Sequence, residues 1–271
     1  MRRVTTLLWL TGLLCVRPVA AQTLPVTMPA DSVVAAVRRA LLTCDSAWRE
    51  LEFVQLTHER KLDSDGNLDK ETTYKERVYA RHGARRAFLE GMWEDGRPVS
   101  DKTLQNERAD RQDKWRKREK SKAEHKADKD DDEASAEMLE PFKPKSANDY
   151  DFSSVTADTL DGHPAWKVEV APRRESEDLV RGAAWVDATT FRAVAESYEP
   201  AKLPGGVKGM NMRVDYRAVA PGCAMPEHLL LRAHGRALVF IKFNIEFELA
   251  IDSVQVNPGL PDSLFVLPPE D

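Results

Sequence analysis

The chain has 271 residues, 31% of them charged, and a formal net charge of -5. That balance gives no electrostatic reason to expect nucleic acid or an anionic membrane as partner, and no apolar run is long enough to cross a bilayer as a helix. The length suits one large β domain or two small ones, and one is expected.

Arg2 and Arg3 precede an apolar run over 4–16, and Val19-Ala20-Ala21 offers a small-residue cleavage site before Gln22. This is the pattern of a cleavable secretory signal, so residues 1–21 are set apart and 22–271 are read as one soluble domain exported to a bacterial periplasm. Gly12-Leu13-Leu14 puts a bulky leucine where a lipoprotein signal carries a small residue, so Cys15 belongs to the discarded signal. Cys44 and Cys223 remain, and in an oxidising compartment they are candidates for one disulfide. Two unpaired small apolar side chains are the alternative.

The first element of the mature chain is helical. Asp31 or Ser32 is the expected N-cap, and Val33, Val37, Ala40, Leu41, Cys44 and Trp48 recur at helical spacing, with Arg38, Arg39 and Arg49 opposite. Extended segments follow over 51–62, 73–81 and 85–93, punctuated by turn signals at 63–67, His82-Gly83 and 94–96. Asp63, Asp65 and Asn67 match the opening of an EF-hand loop, but Leu68 stands where glycine is needed and Tyr74 where the bidentate glutamate is needed. A hairpin turn without calcium is expected.

The composition shifts between 101 and 133, where eleven basic and eleven acidic residues are joined by almost no large apolar side chain beyond Leu104 and Trp115. Such a segment lacks the means to bury a core face. The insertion over 101–145 is therefore read as a solvated helix, basic toward Arg116-Lys117-Arg118, followed by a flexible acidic tail that Pro141 and Pro144 terminate. It should be protease-sensitive, and its removal should leave the rest folded.

Strands resume at Tyr150. Trp166, Val168 and Val170 alternate with polar residues; 181–187 and 190–198 form a hairpin; Met210, Met212, Val214 and Tyr216 alternate with Asn211, Arg213, Asp215 and Arg217. The segment 229–234 turns at Gly235-Arg236 into the longest alternating run, in which Val239, Ile241, Phe243, Ile245, Phe247, Leu249 and Ile251 share one side. Nine or ten strands linked by short turns make an antiparallel meander, and so long a sheet curls. The expected fold is mainly β with α: a half-open curled antiparallel barrel covered by the N-terminal helix, enclosing a greasy cavity.

The run from Arg181-Gly182-Ala183-Ala184-Trp185-Val186-Asp187 to Phe191, preceded by Gly162-His163-Pro164-Ala165-Trp166, resembles the central hairpin of the periplasmic outer-membrane lipoprotein sorting proteins, the LolA/LolB-like group. The ending Pro261-Asp262-Ser263-Leu264-Phe265-Val266-Leu267-Pro268 is similar to that group's close. The resemblance implies a cavity that holds acyl chains of lipoproteins or related amphiphiles, in a soluble, monomeric carrier or sensor of the envelope, with an envelope protein as a further candidate partner. The residues expected to line the cavity are Val37, Leu41, Trp166, Trp185, Met210, Met212, Phe243, Ile245 and Phe247. A structural or interaction protein without a lipid ligand is the alternative. An enzyme is the weaker rival: there is no Gly-x-Ser-x-Gly elbow, His-Glu-x-x-His, phosphate loop or Cys-x-x-Cys, and none of the six histidines is spaced for a helical metal pair. His228 and His234, on one strand, are read as exposed polar positions, and no cofactor or metal is expected.

Overall fold

The structure, a computed structural model, describes residues 28–81, 84–124, 140–237 and 241–266. The expected signal segment, the expected turn at His82-Gly83, the acidic run over 128–133, Val239 and the closing Leu267-Pro268 lie outside the described residues. Helix α1 (Ala30–Ala47) leads into strands β1 (Glu50–Leu62), β2 (Leu68–Arg81), β3 (Ala84–Glu94) and β4 (Arg97–Pro98). Helix α2 (Asp101–Glu124) and two 3-10 turns (Glu140–Phe142 and Pro144–Ser146) precede β5 (Tyr150–Asp151). The rest is strand: β6 (Val155–Leu160), β7 (His163–Pro172), β8 (Val180–Asp187), β9 (Ala193–Pro200), β10 (Val207–Ala220), β11 (Cys223–Ala237) and β12 (Ile241–Val256), then a last 3-10 turn (Asp262–Leu264).

All twelve strands belong to one sheet, in the order β4-β3-β2-β1-β12-β11-β10-β9-β8-β7-β5, with β6 also paired to β7. The strand pairs are antiparallel. The sheet is open and curled rather than closed into a barrel. First and last strands meet in its middle, so the chain between β4 and β5 runs from one free edge to the other. What reads in the sequence as an insertion is thus the connection between the two edges.

The register defines the inner face. One row of cross-strand partners runs Met92, Tyr74, Thr57, Leu249, Leu229, Val214, Glu196, Ala184, Val168, Val155. Opposed residues of a sheet point to the same side, so this row and the residues two positions along each strand from it form a single surface. Two cores lie on it. The larger joins Val33, Val34 and Val37 of α1 to Trp166, Val168, Val170, Ala184, Val186 and Tyr198, and also includes Phe142 and Tyr150. The smaller gathers Leu51, Phe53, Val78 and Ile251. The outer face is polar, with Arg60 bridging to Glu71, Glu246 and Glu248 across three strands.

α1 begins one residue before its expected cap, at Ala30, and Pro29 accepts the amide of Ser32. Its Arg38 Nε donates to the Phe142 carbonyl at 3.0 Å. At the other end the structure joins Cys44 to Cys223 in a disulfide with the Cα atoms 4.3 Å apart.

Three expectations are corrected. Residues 101–145 are not merely solvated: Phe142 is fully buried in the main core, and α2 is held along β3, which β2 pairs on one side only beyond the short β4. Arg108 donates to the carbonyls of Leu89 and Glu90, and Arg118 to that of Arg85. The ten residues from 108 to 118 span about 15 Å of helix, and the four from 85 to 89 about 13 Å of strand, so the two elements are in step. The guanidinium groups cap carbonyls that an edge strand would otherwise leave to a passing chain. The second correction is at Gly235-Arg236, which is not a turn: β11 continues to Ala237, and Gly235 faces Phe243. A Cβ on Gly235 would meet the Phe243 ring at 2.7 Å and the Gly206 carbonyl at 2.3 Å, so close approach, not chain reversal, demands the glycine. The third is the hairpin's second strand, which starts at Ala193 rather than residue 190, because Asp187 binds the amides of Thr189 and Thr190 and holds them in the turn.

Candidate functional site

The inner face divides into three zones across the strands. Under α1, at β7 to β9, it is a closed core; Val37 and Trp166 are 1% and 2% exposed. Leu41 and Met212 pack against this core from its margin. The zone also carries polarity, since Glu196 is buried among apolar neighbours with the Tyr198 and Tyr216 hydroxyls close by. Burial pushes both phenols well above their ordinary value, and the Glu196 carboxylate adds to the effect.

The middle zone lies on β10, β11 and β12 and is apolar. Met210, Ala233 and Ile245 form one cross-strand row; Met212, Leu231 and Phe247 form the next; Gly235 and Phe243 stand above them. The sequence-derived set Met210, Met212, Phe243, Ile245 and Phe247 is therefore brought together on one face. These side chains are not sealed: Met210, Met212, Phe243 and Phe247 are half-buried, and Ile245 is 41% exposed. The strip from Phe243 to Leu249 measures about 20 Å, the scale of a long acyl chain.

The third zone, on β1 to β3, carries a polar cluster beside the smaller core of Leu51, Phe53 and Val78. Gln55 and Thr57 are buried, and Gln55 Nε2 donates to Thr57 Oγ1 and Glu76 Oε2. Arg111 of α2 binds Glu76 at 2.7 Å and Glu107 at 2.8 Å, and its guanidinium lies 4.4 Å from the Tyr74 ring centre. Arg85 donates to Gln55 Oε1 at 3.0 Å. None of this zone stood out in the sequence. The available signal was the polar pair Gln55 and Thr57 on the same side of β1 as Leu51 and Phe53.

Trp185 is not in the trough. Alternation along β8 turns Ala184 and Val186 inward and Trp185 outward, opposite Lys167. Its Nε1 donates to Asp158 Oδ2 at 2.8 Å, and Lys167 Nζ lies 5.7 Å from the ring centre. Val186, the register partner of Trp166, shares that residue's face instead. His228 Nε2 meets Glu248 Oε1 on the outer face, while His234 is exposed. In the 63–67 turn the Asp63 carboxylate accepts the amides of Asp65 and Asn67, which closes the turn and holds its pKa below the usual range. Among the described residues no group of three or more His, Cys, Asp or Glu is arranged to hold a metal ion, and no helix is long and apolar enough to cross a membrane.

No protein-family model matches the chain, and no curated protein sequence does. Solved structures do. The chain is similar to a DUF1329 family protein from Desulfovibrio piger at 11% identity, covering 89% of this chain and 98% of that one with a TM-score of 0.43. It is similar to a putative outer membrane lipoprotein-sorting protein domain from Vibrio parahaemolyticus at 10% identity, covering 87% and 96% with a TM-score of 0.39. A LolA superfamily protein from Nitrosomonas europaea matches at 13% identity over 89% and 98%, with a TM-score of 0.33.

Proposed function

We propose that this chain is an exported carrier or sensor of the bacterial envelope that holds the acyl chains of a lipoprotein or another amphiphile along the middle zone of its inner face. The observation that carries the reading is the half-covered apolar strip of Met210, Met212, Leu231, Phe243, Ile245 and Phe247, which lies beyond the closed core under α1. Methionine and aromatic side chains suit a ligand whose shape varies, because they repack at little cost. Each methylene taken from water into such a strip contributes about 0.8 kcal/mol. The secretory pattern of the first residues and the Cys44–Cys223 disulfide support an oxidising compartment.

Organic extraction of the purified protein followed by mass spectrometry tests the reading. Acyl-bearing species should be recovered at near one per chain from the wild type and should be lost from Ile245→Asp, whose charge would sit in the strip. An empty wild type that also fails to take up added amphiphile would favour an interaction surface for another protein instead.

A further inference from the structure

The inner face changes character between β12 and β1, and the change has a charge. Arg85 reaches over β2 to Gln55, and Gln55 is the cross-strand neighbour of Ile251 in β12. The half-buried guanidinium therefore reaches the row of Ile251, two positions along β12 from Leu249, while Phe247 within the strip faces the exposed Glu59 of β1. Arg85, Arg111 and Arg118 gather there with Glu76, Glu107 and Glu119. Arg111 engages both Glu76 and Glu107, so those two carboxylates are already occupied. Arg118 gives its terminal N–H to the Arg85 carbonyl, while among the described residues its buried Nε has no hydrogen-bond acceptor and lies 3.6 Å from Glu119 Oε1. Among the described residues no carboxylate stands within salt-bridge distance of Arg85, whose acceptor is a neutral amide oxygen.

Two guanidiniums so placed disfavour each other. Burial pushes Arg85 below its ordinary value, Glu76 pulls the other way, and the Arg118 charge adds to the lowering. An anion arriving between them would relieve both the missing acceptor and the repulsion, and a planar guanidinium fork suits phosphate or carboxylate oxygens in particular.

We propose that Arg85, with Arg118 beside it, is the binding site for the anionic head of an amphiphile whose chain lies along the strip of Met212, Leu231 and Phe247. The head is a phosphate or carboxylate. This deepens the carrier reading and rests on it: the apolar strip supplies affinity, and the arginine pair selects acidic amphiphiles over neutral ones and fixes which end of the ligand points toward α2.

Calorimetric titration of the full chain with dodecyl phosphate, with dodecyl maltoside and with inorganic phosphate, each below any micelle concentration, tests it. Wild type should bind dodecyl phosphate about tenfold or more tightly than the maltoside, the worth of one hydrogen bond to a charged group. Arg85→Gln should bring the two affinities together while leaving that for the maltoside unchanged. Arg118→Gln should narrow the gap in the same direction and serves if Arg85→Gln does not fold. Equal wild-type affinities, or a preference that survives both substitutions, overturns the head-group site and leaves the carrier reading in place. Inorganic phosphate binding as tightly as dodecyl phosphate overturns it in favour of a free-anion site. Binding of neither amphiphile overturns the carrier reading itself and the head-group site with it.

Discussion

Phe142 shows how far one side chain outside the main run of strands supports the fold. It is fully buried against the α1 core, its ring 5.1 Å from that of Phe152, and its carbonyl takes Arg38. Phe142→Ala should cost about 3–5 kcal/mol, as large-to-small changes in a packed core do, and urea unfolding would read this as a lower midpoint. On the outer face, Glu248 is held below its ordinary value of 4.5 by the His228 hydrogen bond, and then by Arg60 against the opposing effect of burial. Glu246 is lowered too, by Arg60 and Arg232 acting against burial. Carboxylates depressed in the folded state contribute stability that is present above their unfolded value and is lost as pH falls through the folded one. Acid unfolding should accordingly steepen below about pH 4.5, and Glu248→Gln should flatten that limb in a pH series of thermal melts.

At the scale of elements, α2 and α1 are held by opposite means. α2 has hardly any apolar stripe and docks through Arg108, Arg111 and Arg118. The double change Arg108→Ala, Arg118→Ala should release it from β3, giving faster proteolysis within 101–124 and concentration-dependent association through the bared edge; unchanged cleavage and a strictly monomeric light-scattering profile would show that the arginines are not what holds it. α1 docks through valines and a disulfide. Replacing Cys44 and Cys223 by serine should lower stability by up to roughly 5 kcal/mol on the chain-entropy account of so long a loop, and by less where the unfolded chain stays compact.

What was legible follows from the kind of pattern each element uses. Period-two alternation placed Met210, Met212, Phe243, Ile245 and Phe247 on one face, and the same rule, applied to β8, would have placed Trp185 outside. The role of α2 was not legible, because a composition of matched charges describes a solvated helix and an arginine-docked one equally well. Nor was the polar third of the inner face, since Glu76 and Arg85 acquire a common site only through the register of β1 to β3. Phe142 lay inside a charged stretch, where a single aromatic residue makes no periodic signal.

At the scale of the molecule, a curled sheet whose edges are joined by 99–149 presents one inner surface that is closed at one side, apolar in the middle and partly polar at the other. The proposed function requires the middle strip to take an acyl chain. Methionine methyl groups report on this directly, because Met210 and Met212 lie in the strip while Met225 packs in the smaller core and Met28 against the larger one. The chain labelled with 13C at its methionine methyls, assigned through single Met→Leu variants, would be titrated with dodecyl phosphate. Saturable shifts at Met210 and Met212, with Met28 and Met225 unmoved, are the predicted result; methyls of Met210 and Met212 that stay in place, or that move no more than the other two, would contradict it.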